Sequence, residues 1–415
     1  NSVILKEKGL NVQKFSISVS DDNENFTQIY ANDKIEFHRL CTFDTVKARY
    51  VKLTVEKSDN LPKIREMEIY NAVPEKKNDF RVSTYSTLGG SVFGIIDDTT
   101  LSDAEKDAKI KELIDADYYD TVTDYIDIGN VRWDEEGIIH TDGWDGIERD
   151  EDKYYAVMMR NLHEVLDEKG VNLVITILNP SGENGNQRVM KSITENRDTL
   201  ITNMIAFANK YEFDGIDLDW EFPLSQDEFD AYNSFLQELK ARMKTEMWNK
   251  EDATLSLALA TWALKYTPET IECIDYVNVM GYDILDQDGQ HSSFFSSCVQ
   301  AADYIEIQGF SKEQINIGFP FYGTWEGGRM EQYAYNAISE EISPFNNFYT
   351  MKKSDTKEDR YTYFNSQAII RDKTAYAYLK GYGGVMIFSQ YCDLPSDDER
   401  SLTKAISDYL QEVTK

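Results

Sequence analysis

The sequence predicts an α/β protein, a (β/α)8 TIM barrel preceded by a small all-β segment, and three observations carry that expectation. From Phe80 onward, eight apolar runs of strand length alternate with stretches of helical period, the pattern of βα units around a parallel sheet. Before that, residues 1 to about 75 hold only short strand-like runs between turn signals. In mid-chain, Phe213-Asp214-Gly215-Ile216-Asp217-Leu218-Asp219-Trp220-Glu221-Phe222-Pro223 sets four acids within eight residues among apolar and aromatic neighbours.

In the first segment the expected strands are Lys14 to Ser20, Phe26 to Tyr30, Ala48 to Val55 and Met67 to Tyr70, with Asp21 to Asn25 as a turn. The polar bridge Pro74 to Asp79 is the expected boundary, giving a β unit at 1–75 and a barrel at 80–415. The eight barrel strands are expected at Arg81 to Thr87, Val122 to Asn130, Val171 to Leu178, Gly215 to Trp220, Leu255 to Thr261, Tyr276 to Tyr282, Ile315 to Phe319 and Gly384 to Phe388. Helices are expected at Ala104 to Ile114, Tyr154 to Lys169, Arg197 to Tyr211, Gln226 to Met247, Ser297 to Glu306 and Ser366 to Lys380. Residues Gly323 to Asn365 read as a polar insertion that leaves an open, shallow cleft.

If the acidic stretch is a strand, its period of two sends Asp217, Asp219 and Glu221 to one face and Ile216, Leu218 and Trp220 to the other. A row of like charges on one face is unfavourable, because neighbouring carboxylates repel and partial burial disfavours their ionisation. Catalysis is the compensation that such a row implies; a solvated loop or a cation site is the plainer alternative. Asp214 has the opposite parity and reads as a structural acid.

Composition narrows the chemistry. A formal net charge of −31 disfavours nucleic acid and anionic membranes as partners, since phosphate binding needs a cationic face. No apolar run is long enough to span a bilayer. The four cysteines, Cys41, Cys273, Cys298 and Cys392, are far apart and read as isolated thiols. With four histidines, His38, His140, His163 and His291, there is little material for a zinc cluster or a Ser-His-Asp triad. Carboxylates must carry the reaction, and neither a cofactor nor a metal is expected. The acidic clusters Asp97-Asp98 and Asp142 to Asp152 read as solvated loops, with Ca²⁺ as the alternative. The chain begins at Asn1 without a signal peptide and reads as an excised piece whose targeting information lies elsewhere.

Asp-x-x-Asp-x-Asp-x-Glu is the signature of the family 18 glycoside hydrolases, the chitinases and their relatives, and FDGIDLDWEFP resembles it closely. The likeness continues through IDYVNVMGYDI, INIGFPFYG and the last helix and strand, TYFNSQAIIRDKTAYAYLKGYGGVMIF. Two departures stand out. Asn179-Pro180 replaces a small glycine pair after the third strand, and Phe388 stands where the family usually has Trp. In the first segment KFSISVSDDNENF, ARYVKLTVEKS and REMEIYNA resemble the second half of a discoidin-like, coagulation-factor type C module, a sandwich often used to bind sugars. Its missing first half makes it a structural remnant more than a working sugar site.

The resemblance implies a retaining, substrate-assisted hydrolysis of β-1,4-linked N-acetylglucosamine. Glu221 would be the general acid, and Asp219 beside it would raise its pKa and manage the acetamido group. Tyr282 would bind the acetamido oxygen, and Asp217 would share a proton with Asp219. Asp283, Met280, Phe388, Tyr322, Trp262 and Tyr85 are the expected sugar contacts, with Trp325 placed like Tyr322. His291 reads as loop packing. The family also includes endo-β-N-acetylglucosaminidases of the chitobiose core and inactive sugar-binding relatives. The retained Glu221 and Asp219 favour an active hydrolase, expected to be an extracellular or cell-surface monomer.

Overall fold

Eight parallel strands close on themselves in the computed structural model, which describes residues 1–36, 39–72, 77, 79–115, 120–142, 146–147, 149–285, 293–325, 332–338, 343–345, 347–352, 359–395 and 397–414. The strands are β1 (Arg81–Ser86), β2 (Asp124–Trp133), β3 (Asn172–Leu178), β4 (Gly215–Leu218), β5 (Thr254–Leu259), β6 (Tyr276–Val279), β7 (Ile315–Pro320) and β8 (Gly384–Phe388). Each pairs with the next in chain order, and β8 pairs with β1 to complete the ring. Runs such as LVITIL and YVNV are mostly apolar because helices cover their outer face while side chains fill the interior.

The strands fall where expected, with shifted ends. β4 stops at Leu218, whose last partner is Leu257 on β5, so Asp219, Trp220 and Glu221 lie beyond the ladder. β2 runs on to Trp133 because Arg132 and Trp133 pair antiparallel with Ile139 and His140. The six expected helices are present within a few residues. Gln226–Glu246 starts on a capping box in which the Ser225 side chain accepts from Glu228 N. Helices Gly89–Asp97 and Gly185–Thr194 escaped the sequence reading: neither has a side-chain cap, and each opens on glycine. The terminal helix Leu402–Thr414 was also missed.

Between β7 and the helix Gln367–Lys380, the expected polar insertion forms a four-stranded antiparallel sheet, Gln332–Ala334, Tyr322–Trp325, Asp359–Tyr363 and Phe348–Lys352 in that order. Its polar composition hid the strands, although Tyr335, Ile338 and Phe364 from this insertion join the main core.

The N-terminal segment is two three-stranded antiparallel sheets, Arg39–Thr42, Ser2–Glu7, Ile64–Tyr70 and Thr27–Asn32, Val12–Ser20, Tyr50–Ser58. Strands Ser2–Glu7 and Arg39–Thr42 were not foreseen. The core of Val3, Leu5, Phe15, Ile17 and Tyr30 also takes in Ala368 from the barrel helix Gln367–Lys380. Beside it lies a fully buried polar knot. Arg39 sits 3.5 Å from Asp372, and Asp372 accepts from Thr42 N (2.7 Å) and Thr42 Oγ1 (2.8 Å). Burial pushes the Asp372 carboxyl up to about 6 against the pull of Arg39. A second tie runs from Glu36, which accepts from Ser296 N at 2.7 Å at the start of helix Phe295–Ile307. The bridge Pro74 to Asp79 falls outside the described residues except for Lys77 and Asp79, and His291 lies outside them as well. All four cysteines are free thiols. No helix among the described residues is long and apolar enough to cross a membrane.

Candidate active site

A cleft of about 1090 Å³ opens at the C-terminal mouth of the barrel, where loops following the strands meet. Its chemistry begins one layer down. Asp217 on β4 stands in register between Thr176 on β3 and Ser256 on β5. That register turns residues distant in sequence into hydrogen-bond partners: Ser256 Oγ donates to Asp217 Oδ1 at 2.6 Å and Thr176 Oγ1 to Oδ2 at 2.8 Å. Tyr85 from β1 adds a third bond to Oδ2 at 3.0 Å. Tyr85 in turn accepts from Asn278 Nδ2 (3.2 Å), and Asn316 Nδ2 spans Asn278 Oδ1 (3.1 Å) and Ser83 Oγ (3.2 Å). Burial raises the Asp217 pKa, and the three hydroxyl donors oppose that rise.

Asp219 also lines the cleft, and its Oδ1 is buried without a hydrogen-bond partner among the described residues. Desolvation holds its carboxyl well above the usual range, and the charges of Glu221 and Asp217 push it further. Glu221 is exposed to the cleft. Its pKa is raised first by the surrounding walls and then by the charge of Asp283. The like charge expected to act from Asp219 on Glu221 falls mainly the other way, because the less solvated Asp219 is the costlier of the two to ionise.

Glu221 is held from both sides. Asn186, on helix Gly185–Thr194, accepts from the indole N–H of Trp220 (3.2 Å) and donates to the Phe222 carbonyl (2.9 Å). Trp220 itself is buried edge-on against Tyr232, with ring centroids 5.1 Å apart. The Glu221–Phe222 and Phe388–Ser389 peptides are both cis. Asp214 stays outside the cleft and accepts from Leu173 N at 2.8 Å, a structural tie between β4 and β3.

The far wall comes from β6, β7 and β8. The Tyr282 ring lies over Phe388, centroids 5.7 Å apart and 16° from parallel. Tyr322 donates its hydroxyl to Asp283 Oδ1 at 2.8 Å. Gly318 on β7 makes room for this packing, since a Cβ there would lie 2.3 Å from the Val279 carbonyl and 3.0 Å from the Tyr282 ring. Met280 lines the same wall. On the opposite side Trp262, 44% exposed, tilts against Phe222 at 4.8 Å. Such an exposed ring in a cleft suits the apolar face of a sugar. The side chain of Trp325 is not among the described ones.

Nine of the ten side chains singled out from the sequence line one cleft, and the tenth, Asp217, lies buried beneath it, with one change of part. Tyr85, expected as a wall, is 2% exposed and belongs to the floor, where its hydroxyl serves Asp217. Sequence reading missed Thr176, Ser256 and Asn278, although each is a polar residue between apolar neighbours inside a barrel strand. It also took Asp142 for part of a solvated cluster, of which 143–145 and 148 lie outside the described residues. Asp142 is 8% exposed and is gripped by Arg132, whose Nε donates to Oδ1 at 2.7 Å on the cleft wall. No group of three or more metal-ligating side chains is gathered in one place among the described residues.

The pattern of the glycosyl hydrolases family 18 matches residues 167–393, just over half of the chain, and the F5/8 type C domain pattern matches residues 1–67. A 104-residue stretch is 38% identical to killer toxin subunits alpha/beta of Kluyveromyces lactis, covering 22% of this chain and 9% of that protein. A class V chitinase of Arabidopsis thaliana is 26% identical over 196 residues, covering 41% of this chain and 52% of that protein. The chain thus spans about half or less of the length of these relatives. Among solved structures, the Ostrinia furnacalis Group IV chitinase in complex with allosamidin superimposes with a TM-score of 0.60 at 17% identity. It covers 81% of this chain and 100% of that one. On the pattern match and the barrel it runs through, this chain belongs to the glycosyl hydrolases family 18.

Proposed function

We propose that the chain hydrolyses β-1,4 linkages of N-acetylglucosamine-containing glycans, in the manner of a chitinase, by a retaining and substrate-assisted route. The observation that carries this reading is the orphan Oδ1 of Asp219, a buried acceptor without a donor among the described residues. Buried polar atoms are nearly always satisfied, so an empty acceptor beside a cleft marks the place of a ligand donor. The acetamido N–H of the substrate fills that role. The acetamido oxygen then attacks the anomeric carbon while Glu221 protonates the leaving oxygen, and Tyr282 steadies the acetamido oxygen. Asp217 is occupied by three hydroxyls, which suits it to support Asp219 rather than to attack. Phe388 forms the floor under the sugar, and Asp283, Tyr322, Met280 and Trp262 frame it. Tyr85 acts through Asp217.

The reading includes a monomer outside the cell or on its surface, with the β unit at 1–75 and the barrel at 80–415. A digest of chitopentaose beside a high-mannose glycoprotein, read by mass spectrometry, tests the substrate. Chitin fragments support the proposal; cleavage of the glycoprotein core alone would make the chain an endo-β-N-acetylglucosaminidase. Glu221→Gln should lower the rate by at least ~10²-fold, as expected for loss of a general acid. A chain that binds chitin oligosaccharides and cuts neither substrate would be a lectin.

A further inference from the structure

A second cavity, of about 480 Å³, lies between the N-terminal sheets and the barrel. One side is Leu10, Asn11 and Asn60 of the β unit; the other is Leu285, Phe294 and Gln300 of the segment after β6. Ile284 lines both this cavity and the catalytic cleft, so the two adjoin at that residue. The volume falls in the range of small-ligand sites. Its lining alternates amides with apolar faces, the combination that suits sugar hydroxyls and sugar C–H faces. Asn60 and Gln300 are exposed, and no hydrogen bond engages their side chains among the described residues. The cavity bears Lys34 against Glu36 and Asp59, a balance that favours a neutral ligand over an anion. A buried tie in its lining fixes the geometry, since Glu36 accepts from Ser296 N at 2.7 Å.

We propose that this cavity is a distal glycan subsite, built jointly by the β unit and the β6 loop, which takes the far end of the same N-acetylglucosamine chain that lies in the cleft. The inference rests on the chitinase-like reading and gives the N-terminal segment a part in binding through its contact with the barrel. A glycan long enough to pass Ile284 engages both sites, and the second contact adds affinity without touching the reacting sugar.

The test uses the full chain carrying Asn60→Ala, Gln300→Ala or both, assayed on a fluorogenic chitobioside and on chitohexaose. Both positions are at the surface, so the fold is retained. Losing two hydrogen bonds should lower kcat/KM on chitohexaose by about fivefold or more, mostly through KM, and leave the chitobioside unchanged. Equal kinetics of variant and parent on chitohexaose, or an equal loss on both substrates, would overturn the subsite while leaving the catalytic reading intact. A parent chain that cuts neither substrate would remove the catalytic reading and the subsite together.

Discussion

The Tyr85 hydroxyl reaches across the barrel interior to Asp217 Oδ2 at 3.0 Å, so a residue of the first strand steadies the deepest acid of the fourth. Tyr85→Phe removes that donor and leaves Asn278 Nδ2 without its acceptor. The account expects kcat to fall about tenfold with KM little changed, the size of one lost hydrogen bond to a charged group. Steady-state kinetics on chitopentaose check it; a rise in KM at constant kcat would return Tyr85 to the role of a sugar-contacting wall.

The basic limb of the pH–rate profile should report Glu221. As the proposed general acid it must be protonated, and its raised pKa keeps the proton to higher pH. Asp283→Asn removes the like charge while keeping an acceptor for Tyr322. The Glu221 pKa then drops and the basic limb of kcat/KM moves to lower pH. A limb that stays in place or moves up would mean that Asp283 does not act on Glu221 through its charge.

Asp372→Ala strands Arg39 in a site where it is 0% exposed. Removing one partner of a buried ion pair costs about 3–5 kcal/mol. Calorimetry should show a lower Tm, with the β unit and the barrel helix affected together. An unchanged Tm would show that this knot contributes little to holding the segment in place.

Much of this was legible because barrel strands are short apolar runs with a strong signal, and Glu221, Asp219 and Asp217 stand in one local motif. Register made the rest invisible. Thr176 and Ser256 lie 41 and 39 residues from Asp217 in sequence and meet it only because the strands align. Asn186 likewise reaches Phe222 from 36 residues away. The Arg39–Asp372 pair spans 333 positions, and an arginine inside a short strand gives no local hint of burial. The strand period also misled: it placed Asp219 and Glu221 on a ladder that ends at Leu218.

Phe388 stacks with Tyr282 in the far wall of the cleft and meets Tyr85 edge-on, ring centroids 6.0 Å apart. Phe388→Ala removes that platform and should raise KM for chitopentaose about tenfold, given the ~1 kcal/mol of aromatic packing lost on top of buried area. Unaltered KM would move the sugar away from β8.

In the proposed mechanism the substrate's acetamido group, not a carboxylate of the protein, attacks the anomeric carbon. Proton NMR of chitopentaose hydrolysis, recorded before mutarotation, tests it when paired with a substrate deacetylated at the sugar whose bond is cut. The account predicts β-anomer as the first product and no cleavage at the deacetylated position. An α-anomer appearing first, or efficient cleavage where the acetamido group is absent, would contradict it.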